Sequence, residues 1–316
     1  PFVGEFQWDS NLQVSFNRNT LKALSGTTAA SIVGYGQWSD VVCVSEIGKP
    51  LYNFYGYVVD GVYESLEDIE NSPKTAKHPE NGVYNRSNTV WVGDLKYKDV
   101  NEDGKIDEQD RTDIGSPLPK FTFGFNNTFR YKGFDLNIFL NGSYGNKVLN
   151  YSLMNGPSGG LASMRSAWVN QNNNAIKDRA QLAPIDPDKV YESGNWYDDI
   201  TNVKVVNSGT KTPRPTLNDP NDNDRLSTRY IEDGSYLRIK NLTLGYTFPK
   251  KWMQKAHFDN IRVYCNIQNL YTFTKYSGYD PEVGASTQDS SGYAYGVDNG
   301  RYPSPTTYSF GVSLTF

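Results

Sequence analysis

The chain has 316 residues with a formal net charge of -4 at pH 7, 37% apolar and 14% aromatic residues, and a mean hydropathy of -0.63. That length suits one to three domains with a sizeable core, and the charge gives no electrostatic reason to expect nucleic acid. No run approaches the roughly 18 consecutive apolar residues that a membrane-spanning helix needs. A closed β-barrel passes that filter unseen, because each strand shows only alternate side chains to lipid. The 23 tyrosines suit the aromatic girdles of a barrel and equally suit a sugar-binding surface. Cys43 and Cys265 lie far apart, without metal or redox spacing. One bridge or two thiols would satisfy them, and the apolar strand face that carries Cys265 favours thiols. The opening Pro1-Phe2-Val3-Gly4 has no methionine or basic segment and reads as the interior of a longer polypeptide.

In chain order, Phe6, Trp8, Leu12, Val14 and Phe16 alternate with Asp9, Asn11, Gln13, Ser15 and Asn17, which predicts a strand of barrel length. Asn17 to Ser25 reads as a short polar connection. The span Ala30 to Tyr63 is apolar but poorly alternating, and one crossing is expected there, centred on Phe54-Tyr55-Gly56-Tyr57-Val58-Val59. Residues 64–120 form a polar stretch too long for an ordinary connection.

A hairpin follows. Phe121, Phe123, Phe125, Phe129 and Tyr131 alternate with Thr122, Gly124, Asn126, Thr128 and Arg130, broken only by Asn127. After the two-residue turn Lys132-Gly133 the pattern resumes with Phe134, Leu136, Ile138 and Leu140 against Asp135, Asn137, Asn141 and Ser143. A soluble sandwich could bury that aromatic face; a membrane barrel would turn it to lipid.

Residues 149–234 form a second long polar region, with a short helix expected over 161–169 and the run Asn218-Asp219-Pro220-Asn221-Asp222-Asn223-Asp224. From Tyr236 alternation returns on Leu237 and Ile239, then changes phase to Leu242, Leu244, Tyr246 and Phe248, which predicts a bulge or a strand that leaves the membrane partway. Pro249 to Asn260 is a polar link. Ile261, Val263, Cys265, Ile267, Tyr271 and Phe273 form the next apolar face. A third polar loop, about 275–305, holds Tyr276, Tyr279, Tyr293, Tyr295 and Tyr302. Tyr308, Phe310, Val312, Leu314 and Phe316 alternate with small polar residues to the last position.

These elements sort by connection length. With the Lys132-Gly133 turn on the periplasmic side, 64–120, 149–234 and 275–305 fall outside, while Asn17 to Ser25 and Pro249 to Asn260 fall inside. Long loops on one side and short turns on the other is the outer-membrane arrangement. About seven strands cannot close such a barrel, so other strands must come from elsewhere.

The sharpest local motif is Asp99-Val100-Asn101-Glu102-Asp103-Gly104-Lys105-Ile106-Asp107-Glu108-Gln109-Asp110. It reads as a twelve-residue calcium loop. Asp99, Asn101 and Asp103 supply oxygens at positions 1, 3 and 5, Gly104 makes the turn, the Lys105 carbonyl faces inward at 7, Asp107 stands at 9 and Asp110 closes at 12. Hard oxygens in this number favour calcium over magnesium. The sequence departs from the pattern in two ways: position 12 is Asp instead of Glu, and the preceding segment looks extended. A solvated acidic turn with no ion uses the same Asx and Gly chemistry. No catalytic grouping is visible: His78 and His257 stand alone, and Asp198-Asp199 reads as solvated loop charge.

Taken together, several blocks resemble the SusC/RagA family of TonB-dependent outer-membrane transporters. These are Phe54 to Tyr63, Gly93 to Asp99 through the acidic loop to Asp113-Ile114-Gly115-Ser116-Pro117, Tyr131 to Leu136, Asp233 to Asn241, Gln268-Asn269-Leu270, Gly278-Tyr279-Asp280-Pro281-Glu282 and Tyr308-Ser309-Phe310-Gly311. The resemblance implies an all-β fold, the C-terminal segment of a 22-stranded transmembrane barrel in the bacterial outer membrane. It further implies a plug and N-terminal strands elsewhere in the polypeptide, energy drawn through TonB, a SusD-like lipoprotein lid, and an oligosaccharide or peptide cargo. A terminal aromatic strand like this one resembles the signal read by barrel assembly machinery. The rival expectation from the residues alone is a secreted all-β carbohydrate-binding protein with a dockerin-like calcium loop, which would be soluble without detergent and carry a second copy of that loop.

Overall fold

Alternating side chains commit a strand to two unlike faces, and pairing such strands in register sums those faces into a wall. The computed structural model describes residues 5–24, 31–36, 41–155, 177–192, 194–216, 218–253, 258–284 and 292–315. The helix expected over 161–169, His257 and Phe316 lie outside them. Within them, six long strands form one antiparallel meander in which every strand pairs with its neighbour in sequence. They are β1 (Phe6–Ser15), β2 (Phe121–Tyr131), β3 (Phe134–Tyr144), β4 (Tyr236–Thr247), β5 (Asn260–Thr274) and β6 (Thr307–Thr315).

Register runs apolar against apolar across the wall. Trp8 faces Phe129, which faces Leu136, which faces Leu244, then Cys265, then Phe310. This face is not covered: Phe310 is 81% exposed and Trp8 60%. Asn127, a polar break opposite Ser10, is buried beside Trp8 and accepts its indole N–H at 3.0 Å, which partners its side-chain oxygen on the oily side. Aromatic rings cluster at both ends of the wall, Trp8 on Phe129 and Phe134 on Tyr246 at one rim, Phe16, Phe121 and Tyr144 at the other. Two such belts around an aliphatic middle match the two interfaces of a bilayer.

The opposite face is wet and internally bonded. Arg130 pairs with Asp9 at 2.5 Å, and Asn137 donates to Asn126 and Thr128 at 2.9 Å. Arg262 on β5 reaches Asp135 on β3 at 2.6 Å by passing over β4 at Gly245. A Cβ there would stand 2.5 Å from both partners. The Lys132-Gly133 turn has φ of 47° and 88°, the doubly positive geometry whose twist suits a hairpin. The phase change in β4 is a bulge: Ile239 pairs with Leu140 and Asn241 with Phe139, leaving Lys240 as the extra residue.

All long connections leave one rim. Residues 16–120, 145–235 and 275–306 join strands at the end away from Lys132-Gly133, where Ser15 pairs with Thr122. They fold together into a cap. Lys147–Asn150 pairs with Ile231–Asp233 and with Val297–Asp298, binding the second loop to the third, and the Lys147 amide donates to the Ser116 carbonyl of the first at 2.8 Å. Two apolar cores fill the cap, one around Trp91, Tyr97, Leu95 and Val203, the other around Phe54, Leu149, Tyr151 and Tyr230. Cys43 sits in the second core with its thiol donating to the Tyr295 carbonyl, and it forms no disulfide with Cys265.

Two expectations are corrected here. The apolar stretch near 54–63 is not a wall strand: Phe54 is 0% exposed, and Tyr57, Val59, Val62 and Tyr63 are buried in the cap. Its short strands pair within the cap, Asn53–Gly56 with Val41–Glu46 and Thr112–Gly115, and Val59–Val62 with Leu95–Tyr97. Its poor alternation is the physical reason, because a segment buried on all sides has no wet face to keep polar. Without that crossing, residues 17–24 belong to the long-loop rim, where Leu21 exchanges backbone hydrogen bonds with Gly48 and Lys49.

If the uncovered face meets hydrocarbon, charge on it should cost far more than charge on the wet face. Leu242→Arg in the full-length protein should lower stability in lipid by about 2–4 kcal/mol, and Thr243→Arg by less than about 1 kcal/mol. Denaturant titration in vesicles measures both.

Candidate functional site

The acidic loop lies in the cap between Leu95–Tyr97 and Thr112–Gly115. The segment before it is extended, as the sequence indicated. Asp99 Oδ1 accepts the Glu102 amide at 2.7 Å and Oδ2 the Gly104 amide at 2.8 Å. Asn101 Oδ1 accepts the Asp103 amide, and Asp103 Oδ1 the Lys105 amide at 2.9 Å. Asp107 caps a single 3-10 turn by accepting the Gln109 amide at 2.8 Å. Asp110 is fully buried, with Oδ1 on the Val100 amide and Oδ2 on the Asp107 amide, both at 2.8 Å. Glu102 and Gly104 take φ of 62° and 82°, which folds the chain back on itself. Ile106 is buried in the first core, and Lys105–Ile106 pairs with Lys74–Thr75.

The six positions therefore form a ring closed between residues 99 and 110 by carboxylate-to-amide bonds. The donor set is the hard-oxygen kind that suits calcium. Asp99 and Asp110 at its two ends, however, spend both oxygens on amides. Among the described residues no three Asp, Glu, His or Cys side chains converge as metal ligands. What this arrangement does without an ion is hold a stiff, largely exposed acidic turn on the cap.

Sequence reasoning missed the contact that fastens the cap to the wall. Arg238, at the long-loop end of β4, is 2% exposed. It donates to Asp280 Oδ1 at 2.5 Å, Glu282 Oε2 at 2.7 Å and Thr272 Oγ1 at 2.8 Å. Asp280 also accepts the Glu282 and Ser304 amides. Burial alone would raise the Asp280 carboxyl, and these amides with Arg238 outweigh it, leaving the pKa below its ordinary 3.8. The available signal was Arg238 two residues before Lys240, which stands 3.8 Å from Glu282, and an acid pair, Asp280 and Glu282, in the following loop.

Other polar groups have structural partners. Asp94, wholly buried, receives Arg214 at 2.9 Å and the Trp91 amide. Asp198 takes Arg86, while Asp199 takes Lys189, Thr201 and Tyr191. The Lys189 hydrogen bond, followed by that of the Thr201 hydroxyl, pulls Asp199 down to about 2. Neighbours in sequence, the two carboxylates serve separate ion pairs. Of the loop tyrosines, Tyr276 is buried on Asp298, and Tyr279 and Tyr302 are exposed, Tyr302 at 86%.

A six-stranded meander with an uncovered apolar face, a hydrogen-bonded wet face and all long loops at one rim defines part of an outer-membrane β-barrel wall. Comparison with known proteins narrows the class. No family model matches the chain. TonB-dependent receptor P3 of Formosa agariphila is 30% identical over 320 residues, covering 99% of this chain and 27% of the relative. TonB-dependent receptor SusC of Bacteroides thetaiotaomicron is 24% identical over 313 residues, covering 99% and 25%. The solved RagAB peptide transporter shares the fold with a TM-score of 0.61 at 17% identity, over 99% of this chain and 27% of that one. Over nearly its whole length the chain is similar to TonB-dependent receptors, SusC among them, and it shares the fold of part of the RagAB transporter. It spans about a quarter of the length of the curated relatives it matches.

Arg238→Ala should strip Asp280 of its buried counter-charge and loosen residues 275–306 by about 3–5 kcal/mol, seen as faster amide exchange there with the rest of the cap unchanged. Because the folded pKa of Asp280 is depressed, its contribution is complete above the ordinary value of 3.8 and is lost as pH falls through the folded pKa. Protection of the amides in this loop, corrected for their intrinsic exchange rates, should therefore be flat around neutrality and fall only in stronger acid.

Proposed function

We propose that this chain supplies barrel wall and outer cap to an active importer of glycan or peptide oligomers in the bacterial outer membrane. It would be driven through TonB by the rest of the receptor and closed by a SusD-like surface lipoprotein. The observation that carries the reading is the sorting of the molecule: an uncovered apolar face on six strands, and all three long loops packed into one cap at a single rim. The names of the relatives, TonB-dependent receptor, SusC and RagAB peptide transporter, support import by such a machine. No catalytic role is assigned to these residues. A secreted carbohydrate-binding protein would hide the rows that end in Phe310 and Val312, which here face outward.

Within this reading the cap meets the lid and the cargo. The acidic ring is proposed to stiffen it, since a preformed surface loses less freedom on binding. Calcium is proposed as its ligand on the spacing of Asp99, Asn101, Asp103, the Lys105 carbonyl, Asp107 and Asp110, with Gly104 at the turn. Binding would require the carboxylates to trade amide bonds for the cation.

Two measurements test these roles. Deleting residues 99–110 from the full-length receptor should weaken lid association and oligomer uptake, and unchanged values for both would remove the role. Calorimetric titration of the chelated protein with calcium should give heat that disappears in Asp99→Ala and Asp103→Ala; equal heats in all three would remove the ion.

A further inference from the structure

On the uncovered face of the wall, the outward row of β5 is slight toward the short-turn rim. Cys265 lies between Leu244 on β4 and Phe310 on β6, and Val263 lies between Tyr246 and Val312. Phe134, opposite Tyr246 across β3 and β4, sets its ring against that tyrosine with centroids 4.6 Å apart. Small side chains flanked by larger ones leave an apolar hollow of about 490 Å³ over β5, bounded by Phe134, Leu244 and Tyr246 on one side and Phe310 on the other. A hollow left unfilled forfeits the dispersion contacts of its lining, so something apolar belongs in it.

A line of rings joins this hollow to the rim. From Tyr246 the contacts pass to Phe248 at 5.1 Å and on to Trp252 at 6.2 Å, in the helical turn Lys250–Met253. The Thr247 amide donates to the Gly133 carbonyl at 2.8 Å, which sets this turn beside the Lys132-Gly133 hairpin. Lys250, Lys251 and Trp252 are exposed, and among the described residues no carboxylate pairs with either lysine. Of the other charges at this rim, Glu5 faces Lys132 at 3.2 Å and Asp135 faces Arg262, while Asp259 stands exposed just before β5. Among the described residues, then, two open lysines meet one open acid at the end of an apolar hollow.

We propose that the hollow over Val263 and Cys265, with Lys250 and Lys251 at its rim, holds one anionic phospholipid of the membrane leaflet on the short-turn side. The proposal rests on the barrel reading above. An acyl chain lies in the hollow, the phosphate meets the lysines, and Trp252 sits at headgroup depth, where indole rings settle. The hollow itself selects little, because hydrocarbon already surrounds the wall and one chain is as apolar as the next. Discrimination comes from the head: lysine stems run along apolar surface and carry their charge to the interface, where an anionic headgroup is attracted and a zwitterionic one brings a competing cation. A second copy of the chain is the other occupant such a face could take. In a membrane the two-fold axis runs along the bilayer normal, so the partner would bring its own lysine pair to the same rim, like charge against like.

The test uses full-length receptor in detergent, stripped of lipid and offered dioleoyl phosphatidylglycerol, phosphatidylethanolamine and phosphatidylcholine in equal amounts, with native mass spectrometry counting the lipids retained. The expected result is one phosphatidylglycerol held per receptor, preferred over phosphatidylcholine by about tenfold. Lys250→Gln with Lys251→Gln should abolish that preference. Cys265→Trp fills the hollow and should lower retention of phosphatidylglycerol, whereas Leu12→Trp, on the same apolar face at β1, should leave it unchanged. All these positions face outward at the surface, and the two arms probe head and chain separately. Equal retention of the three lipids, or a preference that survives both the lysine and the Cys265 variants, would overturn the site and leave the barrel reading standing. A receptor dimer that Cys265→Trp splits, with no lipid held by the wild type, would overturn it in favour of a second copy. A receptor that stays soluble without detergent and retains no lipid would overturn the barrel reading and the site together.

Discussion

The structure depends on the register of one meander. Most outward pairs, from Trp8 with Phe129 across to Cys265 with Phe310, set oil against oil, and most inward pairs set polar against polar or small; Ser10 opposite Asn127 and Phe139 opposite Asn126 depart from this. Side-chain period is two, so a slip of one residue would turn Phe121, Phe123, Phe125 and Phe129 to the wet side and bring Asp9 and Asp135 to the other. The Lys132-Gly133 turn fixes the register at one end of β2 and β3, and the Lys240 bulge corrects it where β4 would otherwise drift out of phase. Ion pairs on the wet face, such as Asp135 with Arg262 over Gly245, form only in this register.

From that constraint the division of labour follows. A wall whose apolar side faces outward has no interior of its own, and the buried apolar residues gather in the loops instead. Trp91, Tyr97, Phe54 and Tyr230 are cap residues, and they make three long connections into one folded body. Arg238 is the polar fastening between the two parts, reaching from β4 to Asp280 and Glu282. The outer edges of β1 and β6 pair with no described strand. Open edges in hydrocarbon leave backbone groups unsatisfied, so such a wall functions only with further strands alongside it.

Much of the wall was legible because alternation is a local signal. The hairpin, the first and last strands, the phase change at Lys240 and the oddity of Asn127 were all readable from residue order. The cap was not, because its strands are short and buried on all sides, and burial erases the period on which reading depends. Hence the apolar stretch around Phe54 to Tyr63 resembled a crossing and is core. The acidic ring from Asp99 to Asp110 was legible as a turn with Asx and glycine chemistry, since those bonds reach only a few residues. The Arg238 fastening and the burial of Asn221 and Asn223 were out of reach, because their partners lie in other loops, as Asp280 and Leu95 do.

The central claim is that the uncovered rows of the meander contact lipid hydrocarbon. Nitroxide labels placed singly at residues 307–315 of the full-length receptor in lipid bilayers, with native cysteines replaced, test it through collision with oxygen and with a water-soluble nickel reagent. Oxygen accessibility should peak at positions 308, 310, 312 and 314, with nickel accessibility low there and higher at the alternate positions. Low access to both reagents at those four positions, as in a packed protein interior, would contradict the account.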